Sequence, residues 1–134
     1  MSREVLLRKL TYLRQLLVDL APYRTASLSQ ATAEHYKLER LLELLVTTAT
    51  DLLFHLLTEQ GKSPDSYRSA FKMAADEGIL SLDLSQRLQK AAGMRNILVH
   101  MYEDIDYAIL RDSIEPAWKD FSQFVAQLET RLDD

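Results

Sequence analysis

The chain of 134 residues contains no cysteine, which removes disulfides, thiolate metal sites and cysteine nucleophiles together. Oxygen and nitrogen chemistry remain. Glycine is scarce, at positions 61, 78 and 93 only, so there is neither a Gly-x-Ser-x-Gly elbow for serine hydrolysis nor a glycine loop to cradle phosphate. Proline occurs three times, and no segment alternates polar and apolar residues over a strand's length. No uncharged apolar run approaches the roughly 18 residues of a membrane span, and Arg3, Glu4, Arg8 and Lys9 interrupt the N-terminal segment, so a cytoplasmic protein without membrane contact is expected. Positive charge is in short supply as well. The formal net charge of -4 argues against nonspecific coating of nucleic acid, whose affinity comes largely from neutralising phosphates. The deficit is local: residues 1–100 hold 13 Lys and Arg against 11 Asp and Glu, whereas residues 101–134 hold 3 against 9. A solvated acidic face on the last helix accounts for that asymmetry, and no partner follows from it.

What is present is a near-average globular composition, 47% hydrophobic and 27% charged, in a length suited to one domain spanning 1–134. No internal repeat or low-complexity tract interrupts it. Leu6, Leu10, Leu13, Leu17 and Leu20 form one side of a first helix that Pro22 closes. Leu38, Leu42, Leu45, Ala49, Leu52 and Leu56, widened by Leu41, Leu44, Leu53 and Leu57, predict a long central helix ending at Gly61. Ser63 before Pro64 predicts a capped start for a short helix that runs to about Glu77 and stops at Gly78. Asp83 is the expected cap of the next helix, with a stripe of Leu84, Leu88, Ala91, position 95, Leu98 and position 102. The last stripe is Ile114, Trp118, Phe121, Val125, Leu128 and Leu132, after a turn or short helix around 106–112. Pro116 inside an unbroken helix would cost about 3 kcal/mol, so a break or kink near Ser113 is expected. The economical architecture is all-α, an antiparallel bundle of about five helices.

Two slots of the fourth stripe are not aliphatic, and one of them is Arg95. A buried guanidinium needs compensation. Either a carboxylate such as Glu43 pairs with it structurally, or Arg95 lies at a cleft or subunit junction where a planar, permanent cation meets phosphate. His100 is five residues on, about 140° around a continuous helix, so the two converge only if the helix ends before His100 or a partner subunit intervenes. Asn96 and His100 share a face, and Asn96 could orient the imidazole; Arg95 and Tyr102 also share one if the helix persists. Tyr102 is either a core tyrosine with a satisfied hydroxyl or a group that stacks on a base.

Asp51, His55 and Glu59 repeat every four residues, as do His35 and Glu39, which makes a helical metal site conceivable. No second helix supplies a matching Glu-x-x-His pair, so a solvated or hydrogen-bonded face is the preferred reading, with no metal or cofactor.

The segment 95–102, Arg-Asn-Ile-Leu-Val-His-Met-Tyr, is followed by Glu103, Asp104, Ile105 and Asp106. It resembles the Arg-x-x-x-x-His-x-Tyr signature of the HEPN superfamily, most closely the HepT toxin branch paired with MntA-type nucleotidyltransferase antitoxins. Tyr36, Glu39 and Arg40, and Asp51 with His55, extend the likeness along the second long helix. The resemblance implies a HEPN-like bundle, a symmetric dimer or higher assembly with the motifs near its two-fold axis, and metal-independent cleavage of transfer or messenger RNA. Arg95 and His100 would be catalytic, Asn96 and Tyr102 would support them, and Tyr102 would accept AMP from the antitoxin in a type VII-like toxin-antitoxin system. The rival expectations are a noncatalytic helical module that dimerises or docks a nucleotidyltransferase, and, third, a metal-binding bundle.

Overall fold

The computed structural model describes residues 3–100 and 106–133, and for residues 95–100 and 133 it describes the backbone alone. Among the described residues six α-helices run in the order α1 (Arg3–Leu20), α2 (Leu28–Ala33), α3 (His35–Glu59), α4 (Tyr67–Asp76), α5 (Leu82–His100) and α6 (Tyr107–Asp133). Pro22 lies in a turn of 3-10 helix, Ala21–Tyr23, that finishes α1. There is no strand among the described residues.

The helix absent from the expected five is α2, whose six residues are too few to show a period. Its start is nevertheless encoded: the Ser27 hydroxyl accepts the Gln30 amide at 3.1 Å, and the Gln30 side chain accepts the Ser27 amide at 2.9 Å.

The α3 helix is the axle. It packs against all five others and buries eleven residues, from Leu38 to Leu57. By length and composition it could cross a membrane, yet 56% of that apolar window is buried inside the fold. At its end Gly61 adopts φ 75°, letting the Lys62 amide reach the Leu57 carbonyl at 2.9 Å. Gly78, at φ 73°, closes α4 in the same way.

Cross-helix bonds set the directions. Lys9 meets Asp51 and Lys37 approaches Tyr23, so α1 and α3 run antiparallel. Ser81 meets Gln127 while Arg87 meets Asp120, so α5 and α6 do as well. All the buried apolar residues join one cluster, in which Phe71 and Phe124 meet edge to face at 6.4 Å. Buried hydroxyls are satisfied: Thr50 donates to the Val46 carbonyl of its own helix at 2.8 Å, and Ser85 donates across to the Phe71 carbonyl of α4 at 2.7 Å.

Several boundaries differ from the sequence reading. The α4 helix begins after Ser66, not Ser63, because Ser66 and Ser69 satisfy each other's amides reciprocally. At α5 the cap is Ser81, whose hydroxyl accepts the Leu84 amide at 3.3 Å, and Asp83 instead pairs with Arg87. The buried stripe of α5 is Leu84, Leu88 and Ala92, with Ala91 at its edge. No break occurs near Ser113: α6 carries Pro116 within a single helix. Leu110 and Ile114 before the proline, and Ala117 and Phe121 after it, all enter the core, and their burial outweighs the lost backbone bond.

Candidate functional site

The α5 helix remains helical through His100. Positions 95 and 100 therefore lie about 140° apart around one axis, and the alternative in which the helix ends before His100 is removed. Positions 96 and 100 share a side, one turn apart. The side chains of Arg95, Asn96 and His100, and all of Tyr102, lie outside the described residues.

The approach to that segment is well defined. Leu42 and Val46 of α3, Arg87, Ala91 and Met94 of α5, and Pro116 of α6 line an apolar cavity of about 350 Å³ that, among the described residues, reaches Met94, the neighbour of Arg95 in the chain. At its polar edge Arg87 donates to Asp120 at 2.6 Å, Gln123 at 2.8 Å and Asp83 at 3.0 Å. Burial pushes the Asp120 carboxyl above its usual range; Arg87 opposes that shift and Asp83 adds to it. The sequence reading did not single out this pair. The Asp83 to Arg87 spacing was visible, but Asp120, between Lys119 and Phe121 on α6, gives no local sign that a cation of another helix faces it.

On the far side of the segment, Asp106 caps α6 by accepting the Ala108 and Ile109 amides at 2.9 and 3.3 Å. Tyr107 then packs beside His35, with ring centroids 5.0 Å apart, and His35 Nδ1 lies 2.8 Å from Glu39. Glu43, the carboxylate considered for Arg95, lies 3.2 Å from Arg40. Asp51 pairs with Lys9 at 3.3 Å. Among the described residues no three His, Asp or Glu side chains converge as metal ligands would.

A model of the family described as ribonuclease HepT-like matches residues 6–128. The chain is 31% identical over 96 residues to a tRNA nuclease HepT of Aphanizomenon flos-aquae, covering 70% of this chain and 65% of that protein. It is 32% identical over 76 residues to an mRNA nuclease HepT of Shewanella oneidensis, covering 56% and 57%. The matched stretches thus span less than two thirds of either curated relative. In three dimensions the chain superposes on a tri-AMPylated HEPN toxin of Shewanella oneidensis solved in complex with an MNT antitoxin, with a TM-score of 0.84 at 21% identity, over 97% of this chain and 99% of that one. At that identity the likeness is one of fold.

Proposed function

Because the chain belongs to the HepT-like ribonuclease family, we propose that it is a metal-independent RNA endonuclease, the toxin of a toxin-antitoxin pair, with residues 1–134 forming one HEPN-like domain. The observation that carries this reading is that Arg95, Asn96 and His100 fall on the last turns of α5, with Tyr102 two residues further on in the sequence, in a fold shared with a HEPN toxin.

The chemistry needs little machinery. A ribose 2′-hydroxyl loses its proton to a base and bonds to the adjacent phosphorus. The bond from phosphorus to the 5′-oxygen breaks, and that oxygen takes a proton, leaving a cyclic phosphate and a 5′-hydroxyl. The nucleophile is the substrate's own, so a titratable imidazole and a fixed cation suffice. His100 serves as base or acid, Arg95 stabilises the charge on the crowded phosphorane, and Asn96 orients the ring. Since positions 95 and 100 diverge on one helix, two copies of the chain complete the site, each offering its groups across a two-fold axis. On this reading the chain is a cytoplasmic homodimer, and the names of the two relatives favour transfer or messenger RNA as its substrate.

The partner is a nucleotidyltransferase antitoxin of the MntA type, and Tyr102 is the acceptor of AMP. Support comes from the AMPylated toxin of the same fold, solved with its antitoxin. An adenylyl group there adds negative charge where substrate phosphate must sit, and repulsion silences the site.

The test is His100→Ala. RNA cleavage should fall by roughly 100- to 10,000-fold, the usual contribution of a positioned acid or base, with melting temperature and dimer mass unchanged. Cleavage at the original rate would remove His100 from the mechanism and favour a noncatalytic docking module.

A further inference from the structure

Tyr36 is the most exposed large hydrophobic side chain among the described residues, at 81%. An aromatic ring held out in water gains nothing for the fold, and this one is not on a loose loop: it sits in the first turn of α3, the helix around which the bundle is built. Its ring centroid lies 3.9 Å from that of His35, tilted 38°, and His35 in turn lies 5.0 Å from Tyr107. The His35 imidazole is fixed by Glu39 at 2.8 Å, and Tyr107 packs against the core. The three rings form a step whose inner end is anchored and whose outer tread, Tyr36, faces solvent.

The step is near the proposed site along the chain. Tyr107 is seven positions after His100, so their Cα atoms lie within about 25 Å even if the connection were fully extended. Arg40 follows Tyr36 by one turn on the same face of α3 and is 63% exposed beside Glu43. A platform for one base, with a guanidinium beside it for the neighbouring phosphate, is the arrangement by which proteins hold single-stranded nucleic acid.

We propose that Tyr36, backed by His35 and Tyr107, is a stacking platform for an unpaired base of the RNA substrate, with Arg40 on that nucleotide's phosphate. The assignment rests on the ribonuclease reading and adds a substrate-binding contact to it. It also specifies the substrate: the base must be unstacked from its neighbours, so cleavage falls in loops or single-stranded stretches.

The probe is a single-stranded oligoribonucleotide pool carrying 2-aminopurine, bound to the full chain with His100→Ala to prevent turnover. Tyr36→Ala should weaken binding by roughly 5- to 150-fold, the equivalent of about 1–3 kcal/mol of stacking, and abolish the quenching of 2-aminopurine. Tyr36→Trp should restore both. In the active chain, Tyr36→Ala should raise KM by a similar factor and spare kcat. Equal binding, quenching and KM for the Tyr36→Ala chain would overturn the platform and leave His100-dependent cleavage standing. Loss of antitoxin binding with RNA binding intact would overturn it too, because the surface would then serve a protein. If the original chain neither binds the pool nor cleaves RNA, the ribonuclease reading falls and the platform with it.

Discussion

Arg24 grips Glu115 through two parallel hydrogen bonds of 2.8 Å, and its guanidinium lies 3.6 Å from the centre of the Trp118 ring. The indole of Trp118 donates to the Leu17 carbonyl at 3.1 Å. The turn after α1 is thereby fastened to the stretch of α6 around Pro116.

Hydrogen bonding to Arg24 holds the Glu115 carboxyl below its usual range. A carboxylate with a depressed folded pKa adds stability above its unfolded value, near 4.5, and loses it as pH falls through the folded value. Thermal unfolding of the original chain and of Glu115→Gln should therefore differ at pH 7 and draw together as pH falls below 4.5. A gap in melting temperature that is the same at pH 7 and pH 3 would contradict the clamp.

Asp120 carries the opposite sign. Its raised pKa means that the folded state favours the protonated carboxyl: that contribution is complete below 3.8 and is lost as pH rises through the folded value. Arg87 offsets the resulting cost at neutral pH. Arg87→Met should destabilise the fold by about 1–3 kcal/mol at pH 7, and by less at pH 4, where Asp120 takes up a proton. Urea unfolding at the two pH values measures the difference, and an equal loss at both would show that the pair contributes only packing.

The sequence announced helices where their ends are chemically marked. Gly61 and Gly78 stop α3 and α4 because each turn needs a positive φ, and the leucine spacing of α1 and α3 matches the residues that are buried. Two strong local signals misled. Ser63 with Pro64 imitates a helix start, but Ser66 and Ser69 form the pair that satisfies the amides. Pro116 opposes a helix locally, while the apolar residues on both sides of it require one to enter the core. The cavity edge was hidden because Arg87 and Asp120 are 33 residues apart and meet only through packing. The family was legible through a resemblance carried by residues 95–102, since no period or composition distinguishes a catalytic imidazole from a structural one. Tyr36 and Arg40 were visible as part of that likeness, and only the 81% exposure of Tyr36 gives its ring a use.

Pro116→Ala should raise stability by up to about 3 kcal/mol, because alanine restores the backbone donor that proline removes from the interior of α6. Equilibrium unfolding in urea measures the gain. A loss would mean that the ring's contacts in the cavity outweigh the restored bond.

Co-expression with a nucleotidyltransferase antitoxin and ATP should add adenylyl mass to the chain, and Tyr102→Phe should receive none. Intact-mass spectrometry reads both. Complete neutralisation without any added mass would rule out covalent silencing.

Asp106 pins the first turn of α6 and α5 continues to His100, so residues 101–105 join two fixed ends. Tyr102 is two links from His100, so their Cα atoms stay within about 7 Å of each other in any conformation. A nucleotide carried on Tyr102 would therefore be tethered beside position 100 by the chain itself, for as long as the covalent bond lasts.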